Sequence, residues 1–151
     1  MATRSLIGME SKDGKIQYIY CHWDGYVVEG VGQCLLECFK DRLKVQELIA
    51  LGDISSLGGR LTKADDPIDG YNGSEVVCAY YRDMGEELNR RAPVKDRDAF
   101  ITKAKNIGTD CNYIFDVNCE WLYKGTRTDN PFVRVEDFIK KDKEKQWLKQ
   151  I

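Results

Sequence analysis

The sequence predicts an α+β fold: a mainly antiparallel sheet with helices packed on it, in a single domain spanning residues 1–151. Two turn-centred pairs of β-compatible runs, at Ser11–Lys15 and at Asp116–Asn118, supply the antiparallel pairing. Apolar residues at helical spacing after Val31 and after Asp96 supply the helices. A length of 151 residues, with no internal repeat and no low-complexity segment, fits one unit. A chain of that size buries about 68–70% of the surface its unfolded form exposes, enough for its own core.

Taken in order, Arg4 to Met9 and Ile16 to His22 flank Ser11-Lys12-Asp13-Gly14-Lys15, an Asp-Gly turn, so the chain opens with a hairpin. Along its second strand Ile16, Tyr18, Tyr20 and His22 share one face, which makes that face a candidate ligand platform. Asp24-Gly25 ends the strand in a turn, and Gly30-Val31-Gly32 permits close backbone approach. Val31, Leu35, Cys38 and Phe39, then Leu43, Val45, Leu48 and Ile49, fit two short helices or one bent helix. Lys40-Asp41 marks the break and Gly52 the end. A polar, glycine-containing loop of about twenty residues runs from Asp53 to about Gly73, long enough to suggest a function.

Ser74 to Tyr81 is apolar on both alternating faces, as in an interior strand. A helix around Asp96 to Ile107 is stopped by Gly108, and Cys111 to Phe115 pairs with Cys119 to Tyr123 across the second turn. From Glu136, Phe138, Ile139, Trp147, Leu148 and Ile151 recur at the spacing of an amphipathic helix over 136–151, docked on this chain or on a neighbour.

Lys and Arg number 23 against 25 Asp and Glu, a net charge of −2, so no overall field draws a DNA or RNA polymer or an anionic membrane. No apolar run reaches the 18 or so residues that cross a bilayer, and the first residues lack the apolar stretch of a signal peptide. A cytoplasmic location is therefore expected, with Cys21, Cys34, Cys38, Cys78, Cys111 and Cys119 reduced. None forms C-x-x-C, and a strand points the lone His22 away from Cys21, so no metal site is expected. Cys34 and Cys38 share a helical face and suit core packing.

Chemistry is densest at Tyr18-Ile19-Tyr20-Cys21-His22-Trp23-Asp24-Gly25-Tyr26. Aromatic faces stack on bases for about 1–3 kcal/mol each, and a carboxylate such as Asp24 or Asp53 accepts from a base amine. The same residues equally suit a packed sheet with an Asx turn at Asp24. His22, with a reference pKa of about 6.5, is also a candidate general base for a metal-independent nucleotide phosphodiesterase. No nucleophile elbow, P-loop, H-E-x-x-H or G-x-G-x-x-G accompanies it. Candidate phosphate donors are Arg4, Ser55, Ser56, Arg60, Arg82, Arg90 and Arg91, each of which also suits a solvated surface. Tyr80-Tyr81-Arg82-Asp83 joins two aromatics to a guanidinium.

Thr3-Arg4-Ser5, Tyr20-Cys21-His22-Trp23-Asp24-Gly25-Tyr26, Glu29-Gly30-Val31-Gly32, Leu51 to Leu57 and Ala79 to Glu86 together resemble a phage-encoded family, the anti-CBASS cyclic-oligonucleotide sponge proteins. These blocks cover roughly the first 86 residues. The chain departs from the pattern at Val27-Val28, where the resemblance implies a proline-containing loop one residue shorter; this bears on loop geometry and ligand preference. The resemblance implies a small homo-oligomer, not an enzyme, that binds cyclic dinucleotides such as cyclic GMP-AMP in the infected host cell, without a cofactor and without cleaving them. Tyr20, Trp23, Tyr26, Tyr80 or Tyr81 then sandwich the bases, with His22 beside them. Arg4, Arg60, Arg82 and the amides near Ser55 and Ser56 hold phosphates, and Asp24 or Asp53 reads base edges. The alternatives are the His22 phosphodiesterase and a module whose aromatic face and C-terminal helix dock a host protein.

Overall fold

Short polar turns set the two hairpins. The computed structural model, which describes residues 2–151, places β1 at Ser5–Glu10 and β2 at Ile16–Cys21. Between them Gly14 adopts φ 87° and the Asp13 carboxylate accepts from Ser11 Oγ and Lys15 N. Downstream, α1 (Val31–Cys38) and α2 (Arg42–Ala50) lead to β3 (Ile54–Ser56), β4 (Cys78–Ala79) and α3 (Tyr80–Met84). Then follow α4 (Arg97–Ile107), the second hairpin of β5 (Cys111–Phe115) and β6 (Trp121–Gly125), a short β7 (Val133–Arg134) and α5 (Val135–Lys149). At the second hairpin's turn Asp116 accepts from Asn118 N and Glu120 N.

The strands join one seven-stranded sheet in the order β4-β3-β2-β1-β5-β6-β7. The fold is α+β, but the expectation of a mainly antiparallel sheet is corrected: the sheet is mixed. β1 runs parallel to β5 and β2 parallel to β3, and the β1–β5 pairing lies at its centre. Turn residues encode antiparallel neighbours, whereas these parallel pairs depend on crossovers, α1–α2 between β2 and β3 and α4 ahead of β5.

The crossovers cover both faces. On one, Val31, Leu35, Phe39, Val45 and Leu48 of the α1–α2 stretch and Val135 and Ile139 of α5 pack over Ile7, Ile19, Tyr113 and Phe115. On the other, Phe100, Ile101 and Ala104 of α4 pack over Leu6, Ile16, Tyr18 and Ile114. This is why β1 is buried along its whole length, as strands covered on both sides are. Cys21, Cys34, Cys38 and Cys111 sit in the first of these cores.

The helix boundaries follow local chemistry. Asp41 caps α2 by accepting from Lys44 N, and Gly52 closes it at φ 76°; Asp96 caps α4 through Ala99 N, and Gly108 ends it at φ 88°. Ser74 to Tyr81 departs from the interior strand expected. Only Cys78–Ala79 joins the sheet, at its edge, Val76 makes an isolated bridge to Arg60, and Tyr80 begins α3 because the Asp83 carboxylate accepts from Ala79 N. α5 docks through Val135 and Ile139, while Trp147, Leu148 and Ile151 stay exposed.

Candidate functional site

The candidate residues lie where β2 runs out. His22 N donates to Ile54 O and Trp23 N to Ser55 O, so β3 carries the chain past the end of β2 before it turns away. Asp24 and Glu29 then adopt φ 58° and 53°, a left-handed conformation disfavoured for residues with a Cβ. That turn serves α1: Val31 N donates to Asp24 O, Gly32 N to Tyr26 O and Gln33 N to Val27 O. Gly30 is required because a Cβ there would lie 2.4 Å from Tyr26 O. The close approach that Gly30-Val31-Gly32 permits is thus to the protein's own loop, and the amides opening α1 are already satisfied.

The expected platform face of β2 is largely covered. Tyr18 is buried edge-on against Phe100, with ring centroids 5.7 Å apart, and borders a separate cavity beside α2; Ile16 lies beneath α4, and Tyr20 lines the cavity described below. Tyr20 Oη accepts from Arg4 Nε at 2.7 Å and lies 2.7 Å from His22 Nδ1. A neutral imidazole accepts from the phenol in its Nε2–H tautomer and donates to it in its Nδ1–H tautomer. Arg4 also donates through Nη2 to Ile107 O, fixing the guanidinium 5.3 Å from the Tyr20 ring.

Asp53 is the most heavily bonded group here. Its carboxylate accepts from Tyr20 N, from Asn89 Nδ2 and from both Nε and Nη2 of Arg91, at 2.9–3.0 Å. With these partners and a side chain only 10% exposed, Asp53 has its acceptor capacity taken within the protein and does not face a base edge. It joins β2 to the irregular segment 85–93, in which Arg91 is half-buried.

The cavity bounded by these groups has a volume of about 330 Å³. Arg4, Tyr20, Asp53, Tyr80 and Tyr81 line it, together with Glu86, Glu87, Leu88, Asn89, Arg91 and Ile107. Burial raises the Tyr80 phenol above its ordinary pKa, so it remains a protonated donor at neutral pH, with Ser55 beside it. Tyr81 is 54% exposed at the rim.

The remaining candidates divide between rim and scaffold. Trp23, 47% exposed, stands edge-on to His22 with ring centroids 4.6 Å apart. Tyr26, 43% exposed, donates its hydroxyl to Asp24, whose carboxylate raises the pKa of the phenol. The Asp24–Tyr26 pair lies outside the lining of the Arg4 cavity. Ser55 and Ser56 lie half-buried on β3. Arg60 donates to the carbonyls of Lys63, Asp65 and Ser74, and Arg82 to those of Leu61 and Val77 and to Asp83. Both guanidiniums therefore brace the 57–77 stretch, and neither lines the cavity.

Sequence reasoning gave Glu86, the last residue of the Ala79 to Glu86 block, no role and missed Glu87, Leu88 and Asn89, which match no motif; all four line the cavity. The nearest signal was the neighbouring Arg90-Arg91 pair, which the sequence offers as candidate phosphate donors. Among the described residues no cluster of His, Cys, Asp and Glu has metal-binding geometry. No helix there is long and apolar enough to cross a membrane. The chain matches no protein-family model, no curated protein and no solved structure.

Proposed function

We propose that this chain is a phage anti-defence protein that binds cyclic nucleotide immune signals, cyclic dinucleotides such as cyclic GMP-AMP, and sequesters them uncleaved in the infected host cell. The observation that carries the reading is the convergence of Arg4, Tyr20, Tyr80 and Tyr81 on one cavity; the exposed Trp23 lies outside its lining, edge-on to the His22 that meets Tyr20. Aromatic faces supply sequence-tolerant stacking, and a guanidinium already held by Tyr20 and Ile107 meets a phosphate at low entropic cost. About 330 Å³ lies at the small end of ligand pockets, room for part of a cyclic dinucleotide. The remainder would lie against a second copy, in keeping with a homo-oligomer. His22 is absent from the cavity lining, which favours binding there over general-base catalysis.

Sequestration of a scarce messenger requires nanomolar affinity, about −12 kcal/mol. Calorimetric titration against a panel of cyclic oligonucleotides, followed by heat denaturation and mass analysis of the released ligand, tests the reading. Tight binding with intact release supports it. No binding across the panel, or release only of linear product, overturns it. The exposed Trp147, Leu148 and Ile151 favour a second reading, a module docking a host protein, for which nucleotide-insensitive capture of that protein is the mark.

A further inference from the structure

We propose that Asp53 is a positioning residue that latches the segment Gly85 to Arg91 across the mouth of the Arg4 cavity, and so sets the shape of the site without touching ligand. The inference rests on the binding reading only for what the cavity holds; the latch itself stands on geometry.

Gly85 to Arg91 has no regular structure, and all of it except Leu88 and Arg91 is exposed. Nevertheless it supplies Glu86, Glu87, Leu88, Asn89 and Arg91 to the cavity lining. A segment that exposed lacks the apolar burial to hold one conformation, so its placement depends on a few anchors. Glu86 N donates to Tyr80 O at 3.0 Å, tying the start to α3. Leu88 rests on Gly52, where a Cβ would approach Leu88 Cδ1 to 2.7 Å. At the far end Asn89 and Arg91 close on Asp53, three donors on one carboxylate, the arginine in fork geometry.

Asp53 is suited to this because its own position is fixed. Its carboxylate also accepts from Tyr20 N, and its carbonyl accepts from Tyr80 N, so one residue sets β2, α3 and the segment relative to each other. Tyr20 and Tyr80 line the same cavity as the segment. Releasing Arg91 would free the segment from its Asp53 anchor and leave the fold intact, since segment 85–91 contributes no residue to either buried core.

The test uses Asp53→Asn, Arg91→Met and the double variant. Asn keeps an acceptor for Tyr20 N and loses the charged fork. The readouts are the rate of tryptic cleavage after the exposed Arg90, affinity for cyclic GMP-AMP, and the thermal midpoint. Each single variant is expected to speed cleavage and weaken affinity by on the order of tenfold, with the double variant no worse than the more affected single, because both remove the same contact. Unchanged cleavage in both singles overturns the latch whatever the ligand does, and so do additive losses in the double variant. Faster cleavage in a protein that binds no cyclic GMP-AMP upholds the latch and counts against the binding reading alone. If Asp53→Asn fails to fold, Arg91→Met carries the test from the segment's side.

Discussion

Replacing Tyr20 with Phe isolates the hydrogen-bonded chain that runs from Ile107 O through Arg4 and Tyr20 to His22. The phenol oxygen accepts from Arg4 Nε at 2.7 Å and meets His22 Nδ1 at 2.7 Å. The ring packs in the core beneath α4 and stays there as Phe, so no cavity term enters. A hydrogen bond to a charged group is worth about 1.5–3 kcal/mol and a neutral one about 0.5–1.5 kcal/mol. Because the phenol borders a solvent-accessible cavity, water replaces part of both, and the expected net loss is about 1–2 kcal/mol. For a chain of this size that lowers Tm by about 2–8 °C. Urea denaturation should show a lower midpoint at unchanged slope. The affinity for cyclic GMP-AMP should fall as well, since Arg4 loses one of its two side-chain anchors. Unaltered stability together with unaltered affinity would refute the claim that the phenol holds Arg4 in place. A loss above about 4 kcal/mol would refute the packing argument, because only a displaced ring costs that much.

Trp23→Ala and Tyr81→Ala remove exposed rings, so each should leave stability within about 0.5 kcal/mol while weakening nucleotide affinity by about 1–3 kcal/mol, read by calorimetry. Gly30→Ala places a methyl group 2.4 Å from Tyr26 O and 2.6 Å from Asp24 O. With backbone on both sides, the cost should reach about 1–3 kcal/mol or more in thermal melts, with altered Trp23 fluorescence as the loop shifts. At high pH, burial lifts the Cys21 thiol from 9.0 to about 12. The unfolded thiol then ionises first and the folded state binds more protons, so stability present below pH 9 declines as pH rises toward 12, by about 1.4 kcal/mol per unit for this group. Cys21→Ala should make the alkaline limb of the stability curve shallower by that slope; an identical limb in the variant would contradict it.

What the sequence disclosed of the fold follows the range of the interaction responsible. Asp13-Gly14 and Asp116 each close a hairpin with their own side chains and backbone, so both hairpins are legible within a few residues. Caps at Asp41 and Asp96 and stops at Gly52 and Gly108 are local in the same sense. The β1–β5 and β2–β3 pairings are not, since their direction is settled by where α1, α2 and α4 find apolar surface. Alternation failed at Ser74 to Tyr81 because the bond from Ala79 N to Asp83 turns a strand-like run into a helix start.

The site was legible by residue type and illegible by allocation. Arg4, Arg60 and Arg82 are equivalent phosphate candidates in a sequence, yet Arg60 and Arg82 spend their donors on carbonyls of the 57–77 stretch while Arg4 lines the cavity. This division bears on where affinity arises. The lining holds the guanidiniums of Arg4 and Arg91 against the carboxylates of Asp53, Glu86 and Glu87, and Arg91 is already neutralised by Asp53. With two cations against three carboxylates the lining is net negative and offers no long-range attraction for an anionic ligand, and at about 0.1 M salt charges more than about 10 Å away are screened. On the proposed reading, most of the affinity for a cyclic dinucleotide comes from rings stacking on bases and from the one guanidinium that Tyr20 and Ile107 hold in place. On that reading the exposed faces of Trp23 and Tyr81, together with the segment proposed to be latched by Asp53, matter more to affinity than the number of basic residues in the chain.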